Sequence, residues 1–208
     1  VLAMHGAGLW GADNESQLMN CFNLGVSVWQ NREKYGECII LVPQTAERVS
    51  WVTGDGTYPW YEEGSHNYRI ESFEISRYLS AVTELLDDVC SSYSVDESRQ
   101  YVGGFSMGGY ATWYLIMAYP ERFAAAVPCC GGSDPSYAKY IKNVPIWTFH
   151  SADDATVKVE ATREMVSALR ALGSSVRYTE FSNLGHNVWD YAFQSDEVLD
   201  WMFTQRNE

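Results

Sequence analysis

Short apolar runs alternate with longer amphipathic segments along the chain. The apolar runs do not alternate with polar residues, which is typical of strands buried on both faces of a sheet. They lie near residues 1–5, 38–43, 100–105, 123–128, 144–150 and 176–181. Apolar spacing predicts helices over residues 71–93, 107–119, 157–172 and 189–203. Strands separated by helices predict an α/β fold with a mostly parallel sheet of about six strands, flanked by helices.

The composition is that of a folded globular protein. With 208 residues, 46% hydrophobic and 20% charged, the chain is expected to form a single domain over residues 1–208. The net charge of −13 disfavours nucleic acid and anionic membranes as partners, because like charges repel. No basic, apolar leader opens the chain, so we expect a cytoplasmic protein, or a secreted one whose leader is removed.

The five cysteines do not form a recognisable disulfide or metal-binding pattern. Their number is odd and their spacing irregular, and no Cys-x-x-Cys or Cys/His pattern at zinc spacing is present. Buried reduced thiols are the favoured interpretation, since free cysteine is among the most buried residue types. One disulfide remains open if the protein is exported.

A long irregular stretch covers residues 44–69 and is rich in aromatic residues, Trp60 and Tyr61 among them. Disordered segments are poor in aromatic residues. We therefore expect an ordered loop whose Trp60 and Tyr61 line a substrate pocket.

The pentapeptide Gly104–Gly108 (GFSMG) follows a predicted strand and precedes a predicted helix. A Gly-x-Ser-x-Gly in this context is typical of a nucleophile elbow, in which the serine occupies a strained, crowded turn. The pattern predicts that Ser106 is a nucleophile.

A serine hydroxyl needs an adjacent base, and in this fold type the acid and then the histidine follow the serine along the chain. Among the histidines after Ser106, only His186 leaves room for an acid before it. Asp153 and Asp154 both follow the strand near 144–150, and spacing alone does not choose between them. Asp134, after the preceding strand, is a third candidate.

Two backbone N–H groups are expected to bind the oxyanion of the reaction. Met107, directly after the nucleophile, supplies one, and the Gly-rich loop after the first strand supplies the other. We assign this second donor to Ala7, with Gly8 as the alternative. Trp189, three residues after His186, either lines the leaving-group side of the site or begins the core face of the last helix.

With these residues placed, the chain resembles the α/β-hydrolase superfamily. It is most similar to the bacterial phospholipase/carboxylesterase-like ("predicted peptidase") esterases, which are related to polyhydroxybutyrate depolymerases and feruloyl esterases. The resemblance is carried by His5–Gly8, Leu41–Gln44, the elbow, Tyr119–Phe123 and Val144–His150. The family's motif after this last strand implies that the acid is Asp154.

The resemblance also implies an α/β-hydrolase fold that lacks the family's first two strands. The strand near 38–43 would then lie at a sheet edge, and exposed edges promote association. We therefore expect either that the natural protein contains the missing segment or that a neighbouring chain covers this edge in a homo-oligomer.

The function expected from these residues is that of a serine carboxylic ester hydrolase, a carboxylesterase that works through an acyl-enzyme. Its catalytic residues are Ser106, Asp154 and His186, and its partner is a small-molecule ester with a short acyl chain. No metal or organic cofactor is expected. The alternatives are an acetyl- or feruloyl-esterase acting on plant polysaccharide, a serine peptidase, and an inactive carbohydrate-binding module.

Overall fold

A computed structural model describes residues 1–19, 24–53 and 73–207. Within these residues, the strands are β1 (Leu2–Met4), β2 (Tyr101–Phe105), β3 (Ala125–Cys129), β4 (Trp147–Ser151) and β5 (Arg177–Phe181). The α-helices are α1 (Ser16–Met19), α2 (Leu24–Gln30), α3 (Arg32–Tyr35), α4 (Arg77–Ser92), α5 (Met107–Ala118), α6 (Glu160–Ala171), α7 (Trp189–Gln194) and α8 (Asp196–Thr204). Short 3-10 helices cover Glu97–Arg99 and Pro135–Tyr140.

The strands form one parallel sheet in the order β1-β2-β3-β4-β5. Because all the strands are parallel, their carboxyl ends lie at one edge, and the loops that follow β1, β2 and β4 meet there. The predicted α/β class, a parallel sheet flanked by helices, is confirmed.

The predicted strand near 38–43 is not a full strand. Leu41 alone forms a parallel bridge with Leu2. Its N–H donates to the Val1 carbonyl (2.8 Å), and its carbonyl accepts from the Ala3 N–H (2.9 Å). The pairing is short because β1 has only three residues and Pro43 has no N–H to donate. Association through this edge stays a prediction.

Apolar side chains cover both faces of the sheet. On one face, Leu2, Met4 and Val102 pack with α4, α5 and α6. On the other, Ala3 and Phe105 pack with α2, α7 and α8. This coverage explains why the strands are apolar without alternation, since parallel strands are buried on both faces.

The helix predicted over 189–203 is interrupted. Ser195 has extended backbone angles (φ −76°, ψ 117°) between α7 and α8. Asp196 and Glu197 occupy the first turn of α8, where the positive end of the helix dipole stabilises carboxylates. The sequence Ser195–Glu197 is a helix-start signal, and the spacing of apolar residues alone does not reveal it.

Four of the cysteines lie in the described residues, and all four are free thiols. Cys129 and Cys130 are buried as expected, whereas Cys90 is half-buried and Cys38 is exposed, so the expectation of buried thiols is wrong for Cys38. Among the described helices, none combines the length and apolar character needed to cross a membrane. The single-domain organisation over 1–208 stays a prediction.

Candidate active site

Ser106 lies between β2 and α5, where the chain reverses direction. Its φ of +55° falls in the left-handed region that non-glycine residues rarely adopt. The neighbouring glycines permit the turn: a Cβ on Gly104 would lie 2.5 Å from the Gly108 carbonyl oxygen, and one on Gly108 would lie 2.0 Å from the Met4 carbonyl oxygen. The crowded elbow expected from the sequence is therefore present.

His186 lies in the loop between β5 and α7, and its side chain contacts Ser106 at the carboxyl end of the sheet. Its Nε2 lies 2.9 Å from Ser106 Oγ, and its Nδ1 lies 2.7 Å from Asp154 Oδ2. The side chain of His186 is 21% exposed, whereas that of Asp154 is fully buried. The structure thus brings together the three residues that the sequence analysis selected, at hydrogen-bond distances.

Asp154 receives hydrogen bonds on both carboxylate oxygens. Oδ1 accepts from the backbone N–H groups of Thr156 (2.8 Å) and Val157 (2.9 Å). Oδ2 accepts from His186 and also lies 3.2 Å from Nε2 of His150. Burial alone would raise the pKa of this carboxyl, but the hydrogen bonds from the two histidines and from Val157 outweigh it and hold the pKa well below its usual range. Asp154 is therefore an anion at neutral pH.

Asp153, the adjacent carboxylate, points elsewhere. Its Oδ1 accepts from the Gly185 N–H (2.8 Å) and from the Ser151 hydroxyl (2.6 Å). Ser151 Oγ in turn accepts from the Leu184 N–H (3.0 Å). The hydrogen bonds from Ser151 and Gly185 lower the pKa of the Asp153 carboxyl. Asp153 and Ser151 thus fix the loop that carries His186, a support that the sequence analysis missed.

Asp134, the third acid candidate, caps a short helix, while the two ring nitrogens of His186 lie against Asp154 and Ser106. The Asp134 carboxylate accepts from the Ser136 N–H (2.9 Å) at the start of the 3-10 helix over Pro135–Tyr140. This third acid candidate is therefore a helix cap, as its position directly before a proline allows.

The expected oxyanion donors lie on two segments that touch. Met107 is the first residue of α5, where a helix leaves its N–H groups without intrahelical partners. Ala7 lies in the exposed turn after β1. The backbone of Met4 and His5 approaches Gly108 so closely that a Cβ there would clash with both carbonyl oxygens. The turn therefore begins beside the first turn of α5, and the roles of Ala7 and Met107 stay predictions.

His5 anchors that turn from inside the protein. It is fully buried, its Nδ1–H donates to the Gly6 carbonyl (2.8 Å), and its Nε2 accepts from the Thr45 N–H (3.1 Å). Burial lowers the pKa of His5 to about 4, so the ring is neutral at pH 7. The indole N–H of Trp51 donates to the His5 carbonyl (3.1 Å), which places this aromatic residue in the core rather than in a pocket wall.

Trp189 combines the two roles that the sequence left open. Its ring is half-buried and stacks on Phe105 (4.4 Å between centroids), and it meets the His186 ring edge-on (5.3 Å). It therefore belongs to the core and also borders the site. Trp60 and Tyr61, the other two expected substrate contacts, lie outside the described residues.

One group of potential metal ligands is found among the described residues. The Cys130 sulfur, an Asp154 oxygen and a His186 nitrogen all lie within 4.8 Å of one another. Two members already bond to each other, and burial raises the pKa of the Cys130 thiol well above its usual value, which opposes formation of the thiolate that metals bind. That Cys130 lies beside the acid and the histidine was not apparent from the sequence.

Comparison with known proteins identifies the family of the chain. The family described as Phospholipase/Carboxylesterase matches residues 2–197. The chain belongs to this family. The resemblance inferred from its motifs, to carboxylesterase-like α/β-hydrolases, is therefore confirmed.

Individual known proteins are similar to this chain over parts of their length. A crystal structure of a thermostable esterase superimposes with a TM-score of 0.87 at 36% identity, covering 99% of this chain and 54% of that one. A bifunctional acetylxylan esterase/xylanase of Neocallimastix patriciarum is 29% identical over 47% of this chain and 14% of its own. A poly(3-hydroxyalkanoate) depolymerase of Paucimonas lemoignei is 28% identical over 64% of this chain and 27% of its own. The chain thus spans about half or less of the length of these relatives.

Proposed function

We propose that the protein hydrolyses carboxylic esters with Ser106 as nucleophile, His186 as base and Asp154 as the acid of the triad. The hydrogen-bonded series from Ser106 Oγ through His186 to Asp154, with spacings of 2.9 and 2.7 Å, carries the proposal. Such a series activates a serine that is otherwise a weak nucleophile at neutral pH.

The reaction proceeds in two halves. Ser106 Oγ attacks the ester carbonyl while its proton passes to His186 Nε2, and the N–H groups of Met107 and Ala7 bind the resulting oxyanion. The intermediate collapses to an acyl-enzyme, and the His186 proton leaves with the alcohol. Water then attacks the acyl group with His186 again as base, which releases the acid and restores Ser106. Asp154 stabilises the imidazolium formed in each half.

Within this class we propose short acyl chains, such as acetyl, as the preferred substrates. The similarity to an acetylxylan esterase supports this proposal and makes acetylated polysaccharide a second substrate to test. The Trp189 ring, which meets His186 edge-on at 5.3 Å between centroids, is proposed to line the leaving-group side of the site.

The test is the initial rate of hydrolysis of p-nitrophenyl esters from acetate to decanoate, with methyl ferulate and acetylated xylan alongside. Ser106→Ala is expected to lower turnover of every ester by several orders of magnitude. The matched control is Ser27→Ala, which alters a buried serine of α2 and is expected to retain wild-type rates. Wild-type rates in Ser106→Ala would contradict the proposed nucleophile.

The acyl series assigns the substrate class. Fast hydrolysis of acetate with falling rates toward decanoate supports the short-chain proposal, whereas a maximum at decanoate contradicts it. An aminoacyl anilide included in the series tests the peptidase alternative, which is favoured only if the anilide is cleaved as efficiently as the esters.

A further inference from the structure

A second histidine contacts the acid of the triad. His150 lies in β4, four residues before Asp154, and is fully buried. Its Nε2 lies 2.9 Å from the Val157 carbonyl oxygen and 3.2 Å from Asp154 Oδ2. A carbonyl and a carboxylate only accept hydrogen bonds. Nε2 of His150 therefore carries a proton, which it donates to the Val157 carbonyl, and Asp154 Oδ2 lies within reach of the same N–H at 3.2 Å.

His150 approaches the same carboxylate oxygen of Asp154 that accepts the hydrogen bond from the base, His186. Asp154 Oδ2 also accepts from His186 Nδ1 at 2.7 Å, so the same oxygen lies between two imidazole rings. The other oxygen is held by backbone N–H groups of Thr156 and Val157. Without His150, the remaining hydrogen bond to the buried Oδ2 would be the one from His186 Nδ1, whose side chain is 21% exposed.

The opposite side of the His150 ring connects to the nucleophile helix. Its Nδ1 lies 2.7 Å from Thr162 Oγ1, and this hydroxyl is 2.7 Å from the Gly131 carbonyl oxygen. Gly131 packs directly on α5, because a Cβ there would lie 2.7 Å from the backbone of Gly109 and Tyr110. A buried series of contacts thus runs from Asp154 through His150 and Thr162 to the helix that begins after Ser106.

We propose that His150 is a positioning residue of the triad, which holds Asp154 Oδ2 in line with His186 Nδ1 through a hydrogen bond from its own Nε2. The proposal rests on the proposed function and adds a residue to its site. An anchored carboxylate keeps the His186 ring in the orientation that proton transfer from Ser106 requires, and small displacements of such groups are costly to the rate.

The first test compares two substitutions of His150. His150→Met has a side chain of similar size without a donor, and kcat for p-nitrophenyl acetate is expected to fall roughly 10- to 100-fold. KM is expected to stay near the wild-type value, because Asp154 does not contact the substrate. His150→Gln returns an N–H donor near the position of Nε2, and most of the lost kcat is expected to return with it.

Two further substitutions separate positioning from packing. Thr162→Val removes the hydroxyl that supports the His150 ring and is expected to lower kcat by less than His150→Met does, while Thr162→Ser retains the hydroxyl and the rate. Thr148→Val is the matched control. Like His150, Thr148 is buried in β4, but its hydroxyl donates to the Pro128 carbonyl (2.8 Å), which is not among the contacts of the triad. Thr148→Val is expected to lower the free energy of unfolding and leave kcat unchanged.

The low-field proton resonance of a histidine N–H bonded to a carboxylate gives a readout that needs no turnover. We expect the His186 Nδ1 proton to shift or broaden in His150→Met and to stay in place in Thr148→Val. A folded His150→Met protein with wild-type kcat and an unchanged resonance would overturn the positioning role, as would equal losses of kcat in Thr148→Val. A wild-type protein that hydrolyses no ester would instead overturn the proposed function, while the resonance would still report on His150.

Discussion

The loops after β1 and after β4 flank Ser106, and each is anchored by a fully buried histidine with different partners. His5 bonds to backbone groups of Gly6 and Thr45 and shapes a turn. His150 bonds to the hydroxyl of Thr162 and approaches the carboxylate of Asp154. The residue type is the same on both sides, so the partners decide whether a buried histidine supports a backbone turn or a buried charge.

The largest expected difference lies between the two adjacent carboxylates of the β4 loop. Asp154→Asn is expected to lower kcat about 10⁴-fold, because an amide stabilises the wrong tautomer of His186 and does not offset its positive charge. Asp153→Asn keeps an oxygen that can accept from Gly185, and its kcat is expected to fall by less than about tenfold. Steady-state kinetics with p-nitrophenyl acetate measures both.

Equal losses in the two variants would contradict this division of roles, in which one aspartate stabilises the base and the other holds its loop. Unfolding curves of both proteins serve as the control, since a loss of folded protein would lower kcat without any change in chemistry.

On the β1 side, the contribution is expected from a backbone N–H rather than from a side chain. Ala7→Pro removes the N–H and is expected to lower kcat roughly 10²- to 10³-fold, the usual cost of one oxyanion donor. Ala7→Ser retains the N–H on the same exposed turn and is expected to behave as the wild type. If Ala7→Pro folds and keeps the wild-type kcat, the donor lies elsewhere, with Gly8 the next position to test.

The smallest expected effect is on stability and comes from His5. Because burial lowers its pKa from 6.5 to about 4, the unfolded chain binds a proton between these pH values that the folded protein does not. Stability is therefore retained above pH 6.5 and lost as the pH falls toward 4, by up to about 3 kcal/mol. His5→Gln has no such proton to bind and should lose less stability over this range.

Urea unfolding of the wild type and of His5→Gln at pH 7 and pH 4 measures the effect. A larger fall in the free energy of unfolding is expected for the wild type. The same fall in both proteins would mean that His5 titrates alike in the folded and unfolded states, contrary to its burial.

The elbow could be predicted from local sequence and His186 from its place in the chain order, whereas the spacing of residues does not reveal which distant groups a side chain contacts. The Gly-x-Ser-x-Gly turn places Ser106 because strand, turn and helix are consecutive. Asp153 and Asp154 are indistinguishable by spacing, and the distinction arises from the N–H groups of Thr156 and Val157 that face only one of them.

The run over 38–43 and the residue His150 also depend on partners that the local sequence does not reveal. The run over 38–43 has the composition of a strand, but its extent depends on β1, which is too short to pair with more of it. From the sequence, His150 is only the last residue of the predicted strand near 144–150. Neither its distance from His186 in sequence nor its burial reveals that both rings approach Asp154 Oδ2.

The central claim, that Ser106 is the activated nucleophile, is tested most directly by labelling with a fluorophosphonate followed by peptide mass spectrometry. We expect a single adduct on the peptide that contains Ser106. It forms at neutral pH, is absent in Ser106→Ala and forms much more slowly in His186→Ala. A folded wild-type protein that takes up no label, or a Ser106→Ala protein labelled as fast as the wild type, would contradict this claim.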